Sequence, residues 1–151
     1  SGGTFANELA TAADLSEDSL EQACIDIAAF TNDRGTLIRA LPKALIIAPA
    51  NEFNATRILK SVLQSNSANN DTNAIRTLGR IPDIIVNHFL TSDAPWWIKT
   101  DVPHGLISFS REDMMFDTEN DFDTKNARFS ACDRYVPGCA DPRGIFGSAG
   151  G

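Results

Sequence analysis

Ala44-Leu45-Ile46-Ile47-Ala48, introduced by Leu41-Pro42-Lys43 and closed by Pro49, is the stretch on which the fold turns. It is a short, unbroken apolar run bounded by two prolines. A helix of this length could not bury such a run on one face. A strand covered on both sides of a sheet can, so the stretch predicts a central strand buried on both faces. The run through Ala50 is also far too short to cross a bilayer, which needs about 20 apolar residues.

Working upstream, Ser16 stands where a helix N-cap belongs, and Glu17 and Asp18 put negative charge in the first turn, where the helix dipole favours it. Leu20, Ala23, Cys24, Ile27 and Ala28 recur at helical spacing and form one apolar stripe. Asn32-Asp33-Arg34-Gly35 ends that helix, with a glycine free to take a left-handed turn. Downstream of the central run, Asn51 is placed to cap a second helix with Ala55, Ile58, Leu59, Val62 and Leu63 on its buried side. Residues 64–72 are polar and rich in Asn and Ser, which predicts a loop.

Further along, Ile84-Ile85-Val86, Trp96-Trp97-Ile98 and Leu106-Ile107-Ser108-Phe109 predict short strands. Val102-Pro103-His104-Gly105 is a turn between the last two. Asn126 to Val136 alternates in part and predicts a long strand. Asp141-Pro142-Arg143-Gly144 is a turn before a final strand. Two early helices and several strands predict a mixed α+β domain with a central sheet. Domain organisation reads as a loose, small-residue lead-in over 1–15, an ordered unit from about Leu15 to about Phe146, and a Gly-rich tail.

Composition narrows the function classes. The chain has 20 acidic and 13 basic side chains, a net charge of -7. A protein that grips phosphate backbones normally presents a basic surplus. No run of Lys or Arg exceeds one residue, so sequence-specific nucleic-acid binding and membrane association are both unexpected. The three cysteines, Cys24, Cys132 and Cys139, form no CxxC. They are expected to be reduced, apolar core fillers.

Catalytic, cofactor and metal motifs are not evident. His88 and His104 sit beside turns without an accompanying nucleophile or ligand pattern. Asp117, Glu119 and Asp121 have the opening spacing of a calcium loop, but Phe122 replaces the required glycine and Arg128 the closing glutamate. There is no GxGxxG after a strand and no phosphate-binding GxxxxGK[ST]. The acidic stretch from Glu112 and Asp113 through Asp117 to Asp123 therefore reads as a solvated face or as a loop pairing with a neighbour's arginines. Adjacent Trp96 and Trp97 on a strand point to opposite faces, so one packs inward and the other meets solvent, a second layer or a partner.

Several strings carry a resemblance beyond this. Ala44-Leu45-Ile46-Ile47-Ala48-Pro49-Ala50, then Ala55-Thr56-Arg57-Ile58-Leu59-Lys60-Ser61, resembles the tailed-bacteriophage major capsid proteins. So do Ser67-Ala68-Asn69-Asn70-Asp71-Thr72-Asn73-Ala74, Asn87-His88-Phe89-Leu90-Thr91, and Trp96-Trp97-Ile98-Lys99-Thr100-Asp101 leading to Gly105-Leu106. Asp121-Phe122-Asp123-Thr124, Arg134-Tyr135 and Asp141-Pro142-Arg143-Gly144-Ile145-Phe146-Gly147-Ser148 fit the closing segment. Together they span about residues 16–148 and resemble the C-terminal half of such a protein; the N-terminal arm, E-loop and spine helix have no counterpart upstream of Ser1.

The resemblance implies a Hong Kong 97-type fold, α+β, with a central mixed sheet flanked by helices. Residues 16–110 would be A-domain-like, and residues 111–148 would return to the strands of the P-domain; 1–15 would be a flexible lead-in and 149–151 a tail. It implies a structural subunit, not an enzyme, that self-associates into capsomers of an icosahedral shell enclosing a genome. The shell would be assembled in the bacterial host cytoplasm, with other copies as partners and decoration or portal proteins as further ones. On that reading Trp96, Trp97, Glu112, Asp113, Asp117, Arg134 and Arg143 are the candidate subunit contacts. The alternatives are an encapsulin-like compartment shell, which shares the fold, a cysteine-dependent enzyme built on Cys132 and a histidine, and a ligand-binding module around Trp96 or Trp97.

Overall fold

The computed structural model describes residues 6–64, 71–120, 123 and 125–151. Its first helix, α1 (Glu17–Ala28), begins as the sequence predicts. The Ser19 amide donates to Ser16 Oγ at 3.2 Å and the Ser16 amide donates back to Ser19 Oγ at 3.0 Å. A reciprocal cap of this kind is worth about 1 kcal/mol. Leu20, Ala23 and Ile27 are buried, whereas Cys24 is half-buried and Ala28 exposed, so the stripe is narrower than its spacing suggests. The chain then turns at 32–36, where Asn32 Oδ1 accepts from the amides of Arg34 and Thr36 and Gly35 takes φ +78°.

Strand β1 (Pro42–Ile47) leads through a 3-10 turn into α2 (Glu52–Lys60), then α3 (Ala74–Leu78) and β2 (Asp83–Val86). β1 and β2 are parallel, with Ile47 opposite Val86. Asn51 does not cap α2 with its side chain; its amide instead donates to the Asp93 carbonyl. Val62 and Leu63 lie beyond the helix end and are exposed, leaving Ala55 and Leu59 as its buried residues. α3 was not foreseen: five residues are too few to show a periodicity, although Asn73 caps it by accepting from the Arg76 amide at 3.0 Å.

β3 (Trp96–Thr100) runs antiparallel to β1, and β6 (Ile145–Ser148) runs antiparallel to β3, giving the order β2-β1-β3-β6. Leu45, Ile98 and Phe146 align across three strands. With Ile47 and Trp96 they form the fully buried face, in one core with Leu20, Ala23 and Ile27 of α1. Phe30 closes it, its ring centroid 6.1 Å from that of Phe146. The opposite face is barer. Ile46 and Trp97 are half-buried and Lys99 and Ile85 exposed, so β1 is fully covered on one face and not on both. The reason is that among the described residues the helices contribute their apolar stripes to one side only.

Between β3 and β6 the chain leaves this sheet as a two-stranded ribbon, β4 (Leu106–Asn120) against β5 (Ala127–Cys139). The strand expected at Leu106–Phe109 thus continues through the acidic stretch. Fifteen residues at the usual rise span roughly 45 Å. At its root Gly105 and Gly144 meet backbone to backbone; a Cβ on Gly105 would lie 2.4 Å from the Gly144 Cα.

Expectations about the lead-in, the tail and the cysteines are corrected. The lead-in is docked from Asn7 onward: the Gly147 amide donates to the Asn7 carbonyl at 3.0 Å, the Leu9 amide donates to the Gly147 carbonyl at 3.2 Å, and Leu9 and Leu15 are buried. Their apolar side chains complete the core edge, which a small-residue composition conceals. The tail is tied as well, through the Gly151 amide to Asp14 Oδ1 at 3.1 Å. Of the cysteines only Cys24 is partly buried; Cys132 and Cys139 are exposed on the ribbon. All three are free thiols.

Gly105→Ala is expected to destabilise the chain by about 1–3 kcal/mol, since the new methyl must displace backbone. Gly138→Ala, with nothing within 4 Å, is expected to stay within about 0.5 kcal/mol of the parent. Urea unfolding of the two variants measures the difference.

Candidate functional site: the ribbon and the bare face of the sheet

The ribbon is where most of the sequence-predicted contact residues meet. Glu112 lies opposite Arg134, and the carboxylate stands 3.4 Å from the guanidinium Nε. Asp113 accepts from Ser110 Oγ at 3.1 Å, and Asp117 accepts from the Thr118 amide at 2.9 Å. Over its described residues the acidic stretch is therefore a solvated strand, with Glu112 paired across to Arg134 inside the chain. Exposed pairs of this kind contribute only about 0–1 kcal/mol, so they do not explain why the ribbon holds its shape.

Alternation along the paired strands separates its two faces. Glu112 and Arg134, Asp117, and Glu119 opposite Arg128 share one face of the outer part. Phe116 opposite Ala131 and Thr118 opposite Phe129 share the other, with Phe116 and Phe129 as diagonal neighbours. Both phenylalanines are 79% exposed. Tyr135, nearer the root, is on this second face and is exposed too. Sequence alternation over residues 126–136 places Phe129 and Tyr135 on a strand, and Phe116 follows Met114 and Met115, without marking any of them as a contact. Their signal appears only when the two strands are paired in register.

The remaining candidates lie in the body. Trp96 is fully buried, with its indole N–H donating to the Ala13 carbonyl at 3.1 Å, so it is a core residue and presents nothing to a neighbour. Trp97 lies on the barer face over Gly147, where an added Cβ would come 2.5 Å from its ring. Arg143 works within the chain. It donates to Asp33 Oδ1 at 2.7 Å, the Thr31 carbonyl at 2.7 Å and Asp141 Oδ1 at 3.3 Å, tying the turn after α1 to the turn before β6. Hydrogen bonding to Asp33 holds its guanidinium pKa above the usual arginine value, so it is permanently charged.

Among the clefts of the described residues, two lie in the body. One, of about 300 Å³, lies between α1 and α3 and is lined by Cys24, Ile25, Ile75, Leu78 and Arg80. Burial there pushes the Cys24 thiol pKa up, with Arg80 partly opposing. The other, of about 490 Å³, is lined by Trp97, Pro95, Ser92, Ile145 and Glu8 among others. Among the described residues no three His, Cys, Asp or Glu side chains are grouped to hold a metal ion. The thiol-enzyme alternative gains nothing: Cys132 is opposite Met115, seven residues along β5 from Cys139 at the root. That separates it by roughly 20 Å from the level at which His104 enters the ribbon. Among the described residues no helix is long and apolar enough to cross a membrane.

Solved structures share a fold similar to this mixed α+β one. A virus-like particle from Pyrococcus furiosus matches at a TM-score of 0.50 and 16% identity, over 95% of this chain and 56% of that one. A phage-related protein from Bordetella bronchiseptica matches at 0.51 and 14%, over 89% and 50%. Mycobacterium phage Che8 matches at 0.50 and 16%, over 94% and 52%. The chain thus spans about half the length of these solved chains. Among curated proteins none matches. The model of a family described as phage capsid protein matches residues 1–148. The chain belongs to that family, as the resemblance in its sequence implied.

Iodoacetamide at pH 8 is expected to modify Cys132 and Cys139 at least about tenfold faster than Cys24, because a buried thiol with a raised pKa offers little reactive thiolate. Peptide mass mapping over a time course reads the order of labelling.

Proposed function

We propose that this chain is a structural subunit of an icosahedral phage shell, which associates with copies of itself into capsomers and carries out no chemistry. The ribbon is the observation that carries this reading. A lone two-stranded ribbon is marginal in water, yet this one is long, with register shifts between Ser110 and Glu112 and between Glu112 and Met115. It also displays Phe116, Phe129, Tyr135 and Val136 to solvent. Such a surface gains stability when another surface covers it. In a family of capsid proteins the covering surface is supplied by the assembly.

The domain reading fits the same picture. Residues 16–110 supply most of the body and residues 111–139 most of the projecting ribbon, while β6 carries the chain back to the body. Glu112, Asp113, Asp117 and Arg134 are the contact candidates that lie on this projection, together with the aromatics beside them. The net charge of -7 suits a wall that encloses nucleic acid without gripping it. Decoration or portal proteins would be further partners of a shell built in the host cytoplasm. The likeness to a virus-like particle favours a second reading, a compartment shell of the same fold. Purified shells containing nucleic acid support the phage reading, and shells containing a cargo protein support the compartment.

Sedimentation across the micromolar range is expected to show concentration-dependent association of the chain. The pair Phe116→Ser and Phe129→Ser should weaken it about tenfold or more while leaving the circular dichroism of the body intact. Association unchanged by that pair would remove the ribbon from the contact.

A further inference from the structure

The body carries a second device for meeting a copy, independent of the ribbon. At the end of the sheet opposite the ribbon root, the chain turns at Asn87-His88-Phe89-Leu90 directly after β2. Phe89 is 92% exposed, more than any other large apolar residue described. It is not loosely held. The Asn87 amide donates to the Ile47 carbonyl at 2.9 Å, Asn87 Oδ1 accepts from the Phe89 amide at 3.0 Å, and the Leu90 amide donates to the Asn87 carbonyl at 3.2 Å. A side-chain and backbone clamp therefore fixes the backbone from which the aromatic ring projects into water. Aromatic anchors dominate many contacts, and a backbone set in advance lowers the freedom lost when one docks.

The matching hole lies on the other lateral edge of the same end. β2 is the outermost strand on one side, and Trp97, Gly147 and the 92–95 loop border β6 on the other. The cleft they form, about 490 Å³, has room for an aromatic ring and is floored by the half-buried indole of Trp97. The segment from Asn87 to Thr91 brings no carboxylate, while the cleft carries Glu8, so the approach is not opposed by like charge. Phe89, exposed to water, does not fill this cleft in its own chain. A knob and a hole on different surfaces suit a head-to-tail contact between copies, and such contacts close into rings when the rotation allows.

We infer that Phe89 of one copy seats in the Trp97 cleft of the next, forming the repeating contact of a ring. This rests on the self-association reading above and assigns it a second, separate surface. Two different contacts per subunit are what a closed shell needs, one to form rings and one to join them.

The test places p-benzoylphenylalanine at position 89 and irradiates the associated protein, with isotopically labelled and unlabelled chains mixed to mark adducts between copies. Adducts between chains on peptides holding Pro95, Trp97 or Ile145 support the proposal. Adducts elsewhere, or within one chain only, overturn it. In parallel, Phe89→Ser, at a site too exposed to disturb folding, should remove ring-sized species and weaken association at least tenfold. A parent protein that stays monomeric at every concentration overturns the self-association reading and this contact together. A parent that associates, with Phe89→Ser matching it, overturns this contact alone and leaves the ribbon's role standing.

Discussion

Pairing of β3 with β6 is the constraint from which the rest of the molecule follows. These strands are neighbours in the sheet, with Ile98 opposite Phe146 and Trp97 opposite Gly147, yet some forty residues separate them in the chain. Everything between must leave the sheet and come back to the same place. A hairpin does this with the fewest unsatisfied backbone groups, because its two strands bond to each other for the whole journey. The ribbon is thus the least costly detour that still returns Phe146 to the buried row beside Ile98 and Leu45. Gly105 and Gly144 sit where departure and return touch, and only residues without a Cβ allow that approach.

The same pairing settles which tryptophan serves which purpose. Alternation along β3 sends Trp96 into the core with Ile98, where its indole N–H finds the Ala13 carbonyl. Trp97 is left on the barer side, and its ring fits there because position 147 on the neighbouring strand is glycine. Burial on one face and availability on the other are therefore consequences of a single register. Arg143 belongs to the same economy. Its guanidinium fastens the turn before β6 to the turn after α1, so the returning strand arrives at a fixed height.

Much of the body was legible from local chemistry. Ser16 announced α1, the run Ala44–Ala48 announced the central strand, and Asp141-Pro142-Arg143-Gly144 announced the last turn, because each signal acts over a few residues. The family, too, showed in the order of its strings. What escaped the sequence depends on long-range pairing. Single-faced cover of β1 reflects where helices dock, which their own periodicity does not state. The extension of β4 through Glu112–Asn120 depends on a partner strand, since acidic residues have no strand preference of their own. Leu9 and Leu15 lie among small residues that read as slack, and only contact with β6 and α1 gives them a place. The contact candidates divided along the same line: the charges on the ribbon were found from composition, whereas Phe116, Phe129 and Phe89 needed a register or a turn to be seen.

The lead-in bonded along β6 has an implication for how such a molecule avoids the wrong kind of polymer. A sheet with a bare rim invites any similar strand to join it, and repetition of that act spins threads instead of vessels. By laying Asn7 to Leu9 against Gly147, the protein stoppers one rim with its own backbone. Proteolytic trimming of those few residues would unstopper it, exposing β6 to capture by stray strands, and material meant for walls would drift toward fibres.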